Sequence, residues 1–182
     1  MSNRPGRSFL IVVLAFGMLS SLALADPVED TALGEAAFNK EDVQTAMQFF
    51  TKAAQQNYAP AQLRLGELLD ASEFDKEAAE WYRKAADQGN AAAEYHLGHM
   101  YVNGEGVERN TEKALYWFRR AAEKNDGFAV RSLAQAYRKG ELGLTINLDQ
   151  AKLYEDRANI LEAAAKREAK KAADKTKKGA AK

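Results

Sequence analysis

The chain has 182 residues, with 26 basic and 26 acidic side chains and no cysteine. Zero formal net charge points to no polyanionic partner, and the missing cysteines exclude a disulfide framework, a thiol nucleophile and a lipoprotein anchor. The balance hides a polarity: residues 26–165 carry a net charge of −8 and residues 166–182 one of +6, an acidic body with a basic tail.

Residues 1–25 place Arg4 and Arg7 ahead of an apolar run from Phe9 to Ala23 and end in "ALA", the pattern of a secretory signal peptide. The run is short of the roughly 20 residues that a bilayer core demands. The mature chain is therefore expected to begin at Asp26 and to be exported, either to the periplasm of a Gram-negative-type envelope or to the medium.

From Thr31 onward the sequence repeats itself, which bears on the whole fold. The segments "TALGEAAF" (31–38), "QLRLGELL" (62–69), "YHLGHMY" (95–101) and, more loosely, "RSLAQAY" (131–137) open successive copies. Each precedes a second segment: "VQTAMQFFTKAAQQNY" (43–58), "EAAEWYRKAADQGN" (77–90), "EKALYWFRRAAEKND" (112–126) and the stretch around Ala151. Gly34, Gly66, Gly98 and Ala134 mark the first segments in steps of 32, 32 and 36. Ala46, Ala78, Ala114 and Ala151 mark the second in steps of 32, 36 and 37. The extra residues of the two longer copies thus fall between the segments, as a surface loop would.

Apolar and small residues recur at helical spacing, as in Ala78, Trp81, Tyr82, Ala85 and Ala86, and no segment sustains strand alternation;. Ser72, Asn110 and Asn147 read as helix N-caps, and Gly89 with Asn90 as a helix end. The expectation is an all-α solenoid of eight helices in four antiparallel pairs, with units at about 28–58, 59–90, 91–126 and 127–165 and a tail at 166–182. Within it, Gly66 is expected to face Ala78 and Ala85, and Trp81 and Trp117 to fill the space between units.

The unit Ala91 to Asp126 resembles the Sel-1-like repeat, a relative of the tetratricopeptide repeat. The landmarks that carry the resemblance are Leu97, Gly98 and Tyr101, then the loop Gly104, Gly106 and Val107, then Ala114, Trp117 and Ala121. The second unit keeps Leu65, Gly66, Ala78, Trp81 and Ala85 but lacks the glycine loop; the first has Phe49 and Phe50 in place of the tryptophan pair. The fourth has Ala134 for the glycine and Tyr154 for the tryptophan. The resemblance implies a right-handed helical superhelix that serves as an adaptor or scaffold in protein complexes, often in bacterial envelopes.

"YVNGEGVERN" (101–110) invites comparison with a phosphate cradle, but it follows a helix, lacks a Gly-Lys-Ser/Thr ending and sets Glu105 and Glu108 where an anion would sit;. It reads instead as the connecting loop of a unit. His96 and His99, the only histidines, share a helix face with Glu67 as a conceivable third ligand;, and ordinary groove polarity is the preferred reading. The mature chain offers only Ser72 and Ser132 as serines and no nucleophile arrangement;, so neither catalysis nor a cofactor is expected.

Carried over from the tetratricopeptide superhelix, the resemblance implies a concave groove lined by Arg64, Glu67, Tyr95, His99, Arg131, Gln135 and Arg138. Such a mixture suits an extended peptide or a helix of a protein partner. The tail lacks large apolar residues and is expected to prolong the last helix before fraying;. Each of its cations could add about 1 kcal/mol at an anionic envelope surface, and a solvated tail is the simpler reading. Nucleic acid is not an expected partner, since no aromatic residues interleave the cations. The resulting expectation is a non-catalytic adaptor in the bacterial envelope; the alternative is an assembly or structural factor held near peptidoglycan or anionic lipid by the tail.

Overall fold

The computed structural model describes residues 26–180, with side chains as far as Thr176; the expected signal segment lies outside the described residues. Among the described residues eight helices follow one another: α1 (Pro27–Phe38), α2 (Val43–Gln55), α3 (Ala59–Asp70), α4 (Asp75–Asp87), α5 (Ala91–Asn103), α6 (Thr111–Glu123), α7 (Gly127–Lys139) and α8 (Leu148–Ala180). Each packs on its neighbours in the chain, pairwise as α1/α2, α3/α4, α5/α6 and α7/α8, and the pairs stack in order. No strand occurs among the described residues.

Local chemistry sets the helix boundaries. The carboxyl or amide oxygens of Asp26, Asp42, Asn90, Asn110 and Asp126 accept from backbone N–H groups in the first turns of α1, α2, α5, α6 and α7, satisfying donors the helix itself leaves free. Asn147 does the same for Gln150 at the start of α8. Ser72 does not cap α4. Its hydroxyl donates back to the Leu68 carbonyl, Glu73 turns left-handed at φ 63°, and the helix begins only at Asp75.

The alanines of the repeat are the floor of the core: Ala46, Ala53, Ala78, Ala85, Ala114 and Ala121 are fully buried. Methyl-sized residues at these positions let paired helices approach closely, and in each of the first three units one large aromatic fills the remaining space. That aromatic is Phe50, Tyr82 or Phe118, not the residue before it. A Cβ added at Gly34 would lie 2.6 Å from the Phe50 ring, at Gly66 2.7 Å from Tyr82, and at Gly98 2.8 Å from Phe118. The nearest atoms to Gly66 are thus those of the Tyr82 ring, a partner that the expectation from spacing did not include. Trp117 is buried beside Phe118 in the main core, whereas Trp81 is half-buried and carries the Lys84 ammonium 3.7 Å above its ring.

A second periodic device latches the N-terminal turns of α1, α3 and α5 to the ends of their partners. Buried Asp30 accepts from Lys52 at 2.8 Å, and buried Gln62 accepts from Gln88 at 2.6 Å while donating to the Ala54 carbonyl. Fully buried Glu94 binds Lys124 at 2.5 Å and Arg120 at 3.0 Å. In the fourth unit the corresponding residue is Val130, also fully buried.

The glycine loop between α5 and α6 is a buttress. Gly104 closes α5 in the left-handed region, Val107 packs against the core, and a Cβ at Gly106 would sit 2.1 Å from the Asp75 carbonyl oxygen at the start of α4. Only glycine allows the loop to touch the preceding unit so closely.

Candidate interaction groove

The odd-numbered helices place a continuous strip of polar and aromatic side chains across the stack. At one end, Arg64 of α3 donates to Glu35 of α1 at 2.8 Å and to Glu67 at 2.5 Å. Its guanidinium lies 5.1 Å from the centre of the Phe38 ring and 5.5 Å from that of Phe50. One cation thus serves two carboxylates and two ring faces.

Glu67 continues the strip to α5, where its carboxylate lies 3.8 Å from Nε2 of His96. The His96 ring is stacked on Tyr82 at 4.8 Å with its plane only 6° away. Burial pushes the His96 pKa below its ordinary value, against the pull of Glu67, Asp70 and Asp126. The imidazole is therefore neutral at neutral pH. Burial raises the phenol pKa of Tyr82, whose hydroxyl donates to Asp70 at 3.3 Å, with Asp70 and Glu67 adding to the shift.

Tyr95 joins α5 to α7. Its ring lies 5.3 Å from His96, 5.8 Å from Phe118 and, stacked, 5.4 Å from Phe128. Phe128 is 66% exposed, so one large aromatic face stands in solvent at the middle of the strip. Asp126, the N-cap of α7, flanks it, and burial raises its carboxyl pKa. One turn further on, Arg131 pairs with Glu162 of α8.

The seven residues expected to line the groove have three placements. Arg64, Glu67, Tyr95 and Arg131 belong to the strip. His99 sits at its edge, 6.3 Å from Tyr95 between centroids, within 3.2 Å of the Asn103 amide and 3.6 Å of Glu105. Gln135, bonded to Glu141 at 3.2 Å, and Arg138, paired with Glu155, line with Arg131 a cavity of about 370 Å³ between α7 and α8. Glu155, which lines it, stands in the register where the other units carry Phe50, Tyr82 and Phe118. His96 and His99 face different carboxylates, and among the described residues no group of three or more metal-binding side chains is assembled.

Sequence reasoning passed over Phe128, Glu35 and Asp126 as groove residues and gave His96 only general groove polarity. The signal for Phe128 was present: aligned copies set Val28, Pro60, Ala92 and Phe128 in one register, and an aromatic there breaks the small-residue pattern. Behind Phe128 opens a second cavity of about 520 Å³, lined by Phe128, Arg131, Ala158, Leu161 and Ala165 among others.

Stacked helix pairs with an open strip of this kind define a solenoid repeat protein, a class that presents surfaces. The family model of the Sel1 repeat matches residues 39–58, 59–90 and 91–126. Residues 39–126 are accordingly three Sel1 repeats, of a family related to the tetratricopeptide repeat. Sel1 repeat proteins are generally non-catalytic scaffolds that mediate protein–protein interaction.

Among solved structures, a Sel1 repeat protein from Oxalobacter formigenes is 29% identical over 74% of this chain and 58% of its own, with a TM-score of 0.68. The protective antigen c5321 of uropathogenic Escherichia coli, which displays this repeat fold, is 32% identical over 74% of this chain and 30% of its own, with a TM-score of 0.69. The chain thus spans 58% and 30% of the length of these two proteins. A MamA RS-1 ArsTM double mutant, 24% identical over 77% of each chain with a TM-score of 0.52, shares the fold. No protein with a curated description matches the chain.

Proposed function

We propose that this chain is a non-catalytic adaptor or scaffold of the bacterial cell envelope that binds a protein partner through the strip on its odd-numbered helices. The observation that carries the proposal is the exposed Phe128 ring, stacked on Tyr95 within a strip that runs through Arg64, Glu67 and His96. Large aromatic faces beside fixed charges are what protein interfaces enrich at their centres. Export rests on the n-region, apolar run and small-residue site of residues 1–25;.

The test is affinity recovery of the tagged chain from its own envelope, identified by mass spectrometry, with and without substitution of Tyr95, His99 and Arg131 by alanine. Loss of the partner in the triple variant supports the strip as the binding surface; unchanged recovery refutes it. The alternative, anchorage near peptidoglycan or anionic lipid, has its own observation: α8 continues to Ala180, and every described side chain from Ala163 to Thr176 is exposed. Deleting residues 166–182 should release the protein from the envelope fraction if the tail anchors it.

A further inference from the structure

The strip is electrostatically lopsided. Along the contacts that join α1, α3, α5 and the start of α7 stand the carboxylates of Glu35, Glu67, Asp70 and Asp126, with Arg64 as the cation among them. His96, kept neutral by burial, does not offset them, and Arg131 is already paired with Glu162. Between these acids lies the Tyr95–Phe128 stack, with the Phe128 ring mostly in solvent. An aromatic face beside carboxylates attracts a guanidinium or ammonium through both the ring quadrupole and direct charge. On the far flank of Phe128 is the cavity of about 520 Å³, where Leu161, Ala158 and Ala165 offer apolar walls.

We propose that this surface binds a peptide segment in which a basic residue adjoins a large apolar one. The cation sits over the Tyr95–Phe128 stack between Glu67 and Asp126, and the apolar side chain enters the cavity behind Phe128. The inference rests on the adaptor reading and adds the chemistry of the partner. An acidic segment is disfavoured, because it would bring like charge to Glu67, Asp70 and Asp126. A second copy's Lys-rich tail would satisfy the charge but has no large apolar residue for the cavity.

The test uses residues 26–182 and three fluorescein-labelled peptides of equal length in a Gly/Ser host, carrying Arg-Leu, Glu-Leu or Arg-Ser, followed by fluorescence anisotropy at low salt. Arg-Leu should bind most tightly, and binding should weaken as salt rises. Glu67→Gln and Asp126→Asn should each weaken it by about fivefold, the scale of a partly exposed ion pair; asparagine retains the helix cap, so the second variant keeps its fold. Phe128→Ala should weaken Arg-Leu more than Arg-Ser, because it removes both the stack and a cavity wall. Circular dichroism confirms folding of each variant.

The bipartite site is overturned if Glu-Leu binds as tightly as Arg-Leu, if Arg-Ser does so, or if the Glu67→Gln/Asp126→Asn double variant binds Arg-Leu unchanged. If the Arg-Leu peptide fails to bind while the Tyr95/His99/Arg131 variant still loses its envelope partner, the ligand chemistry proposed here is wrong and the adaptor surface stands. If that variant keeps its partner, the surface itself is wrong.

Discussion

Replacing Gly98 by alanine sets two effects of known sign against each other. Gly98 lies inside α5, where alanine favours the helix over glycine by about 1 kcal/mol. The added Cβ, however, would lie 2.8 Å from Phe118 Cδ1 and 3.3 Å from the Ala114 carbonyl oxygen, whereas carbon atoms in cores rest about 3.5 to 4.0 Å apart. Phe118 is 3% exposed and backed by Tyr95, so the ring has little room to yield, and overpacking of this kind costs about 1–3 kcal/mol. The net expectation is a loss of about 0–2 kcal/mol, larger for Gly98→Leu. Gly127 is the internal control: a Cβ there meets nothing within 4 Å, so Gly127→Ala should gain up to about 1 kcal/mol. Urea unfolding followed by circular dichroism measures both. In a double-mutant cycle, Phe118→Leu should relieve Gly98→Ala by about 1 kcal/mol or more. If Gly98→Ala stabilised the protein as much as Gly127→Ala, or the cycle showed no coupling, the ring-against-glycine account of the repeat would fail.

Two further outcomes follow from buried groups. Lys124→Ala combined with Arg120→Ala leaves the Glu94 carboxylate buried without a counter-charge and should cost about 3 kcal/mol or more. Glu94→Val, copying Val130 of the fourth unit, should change stability by no more than about 1 kcal/mol, because both cations can turn to solvent. Urea midpoints of the three chains decide this asymmetry. For His96, burial lowers the folded-state pKa below the ordinary 6.5, so the unfolded chain binds the proton more readily. The stability from its neutral form is complete above pH 6.5 and is lost as pH falls toward the folded value;. Replacing His96 by glutamine should flatten the pH dependence of the urea midpoint between neutral pH and pH 5, and an unchanged slope would show that the imidazole does not titrate differently on folding.

The helices were legible because their signals are local: apolar spacing, the caps Asn110 and Asn147, and landmarks repeating at 32 to 37 residues. The glycine loop was legible as architecture because its insertion falls between two helical segments, and its Gly106 does press against the preceding unit. Contacts across helices were less legible. Spacing shows which face of α4 turns toward α3, but not whether Ala78, Tyr82 or Ala85 lies opposite Gly66, since all three share that face. The Ser72 cap was misplaced because a left-handed Glu73 closes the turn without the glycine that normally announces one;. In the groove, residues were chosen by analogy of register, which named Tyr95 and Glu67 and passed over Phe128, whose position against Tyr95 depends on the neighbouring helix.

The fourth unit shows how architecture and surface are coupled in this chain. In the first three units a glycine admits an aromatic ring, and the ring plugs the seam between paired helices. In the fourth, Ala134 already occupies the glycine's space and Glu155 replaces the ring, so the two changes are mutually compatible where either alone would clash or leave a hole. The seam that results is lined by paired charges, Arg138 with Glu155 and Arg131 with Glu162, a polar end of the kind that repeat stacks require to stop growing. Glu155 also lines the cavity between α7 and α8, with the second one next to it behind Phe128. Termination of the stack and recessed space beside the exposed aromatic thus fall together where the last repeat departs from the pattern of its predecessors.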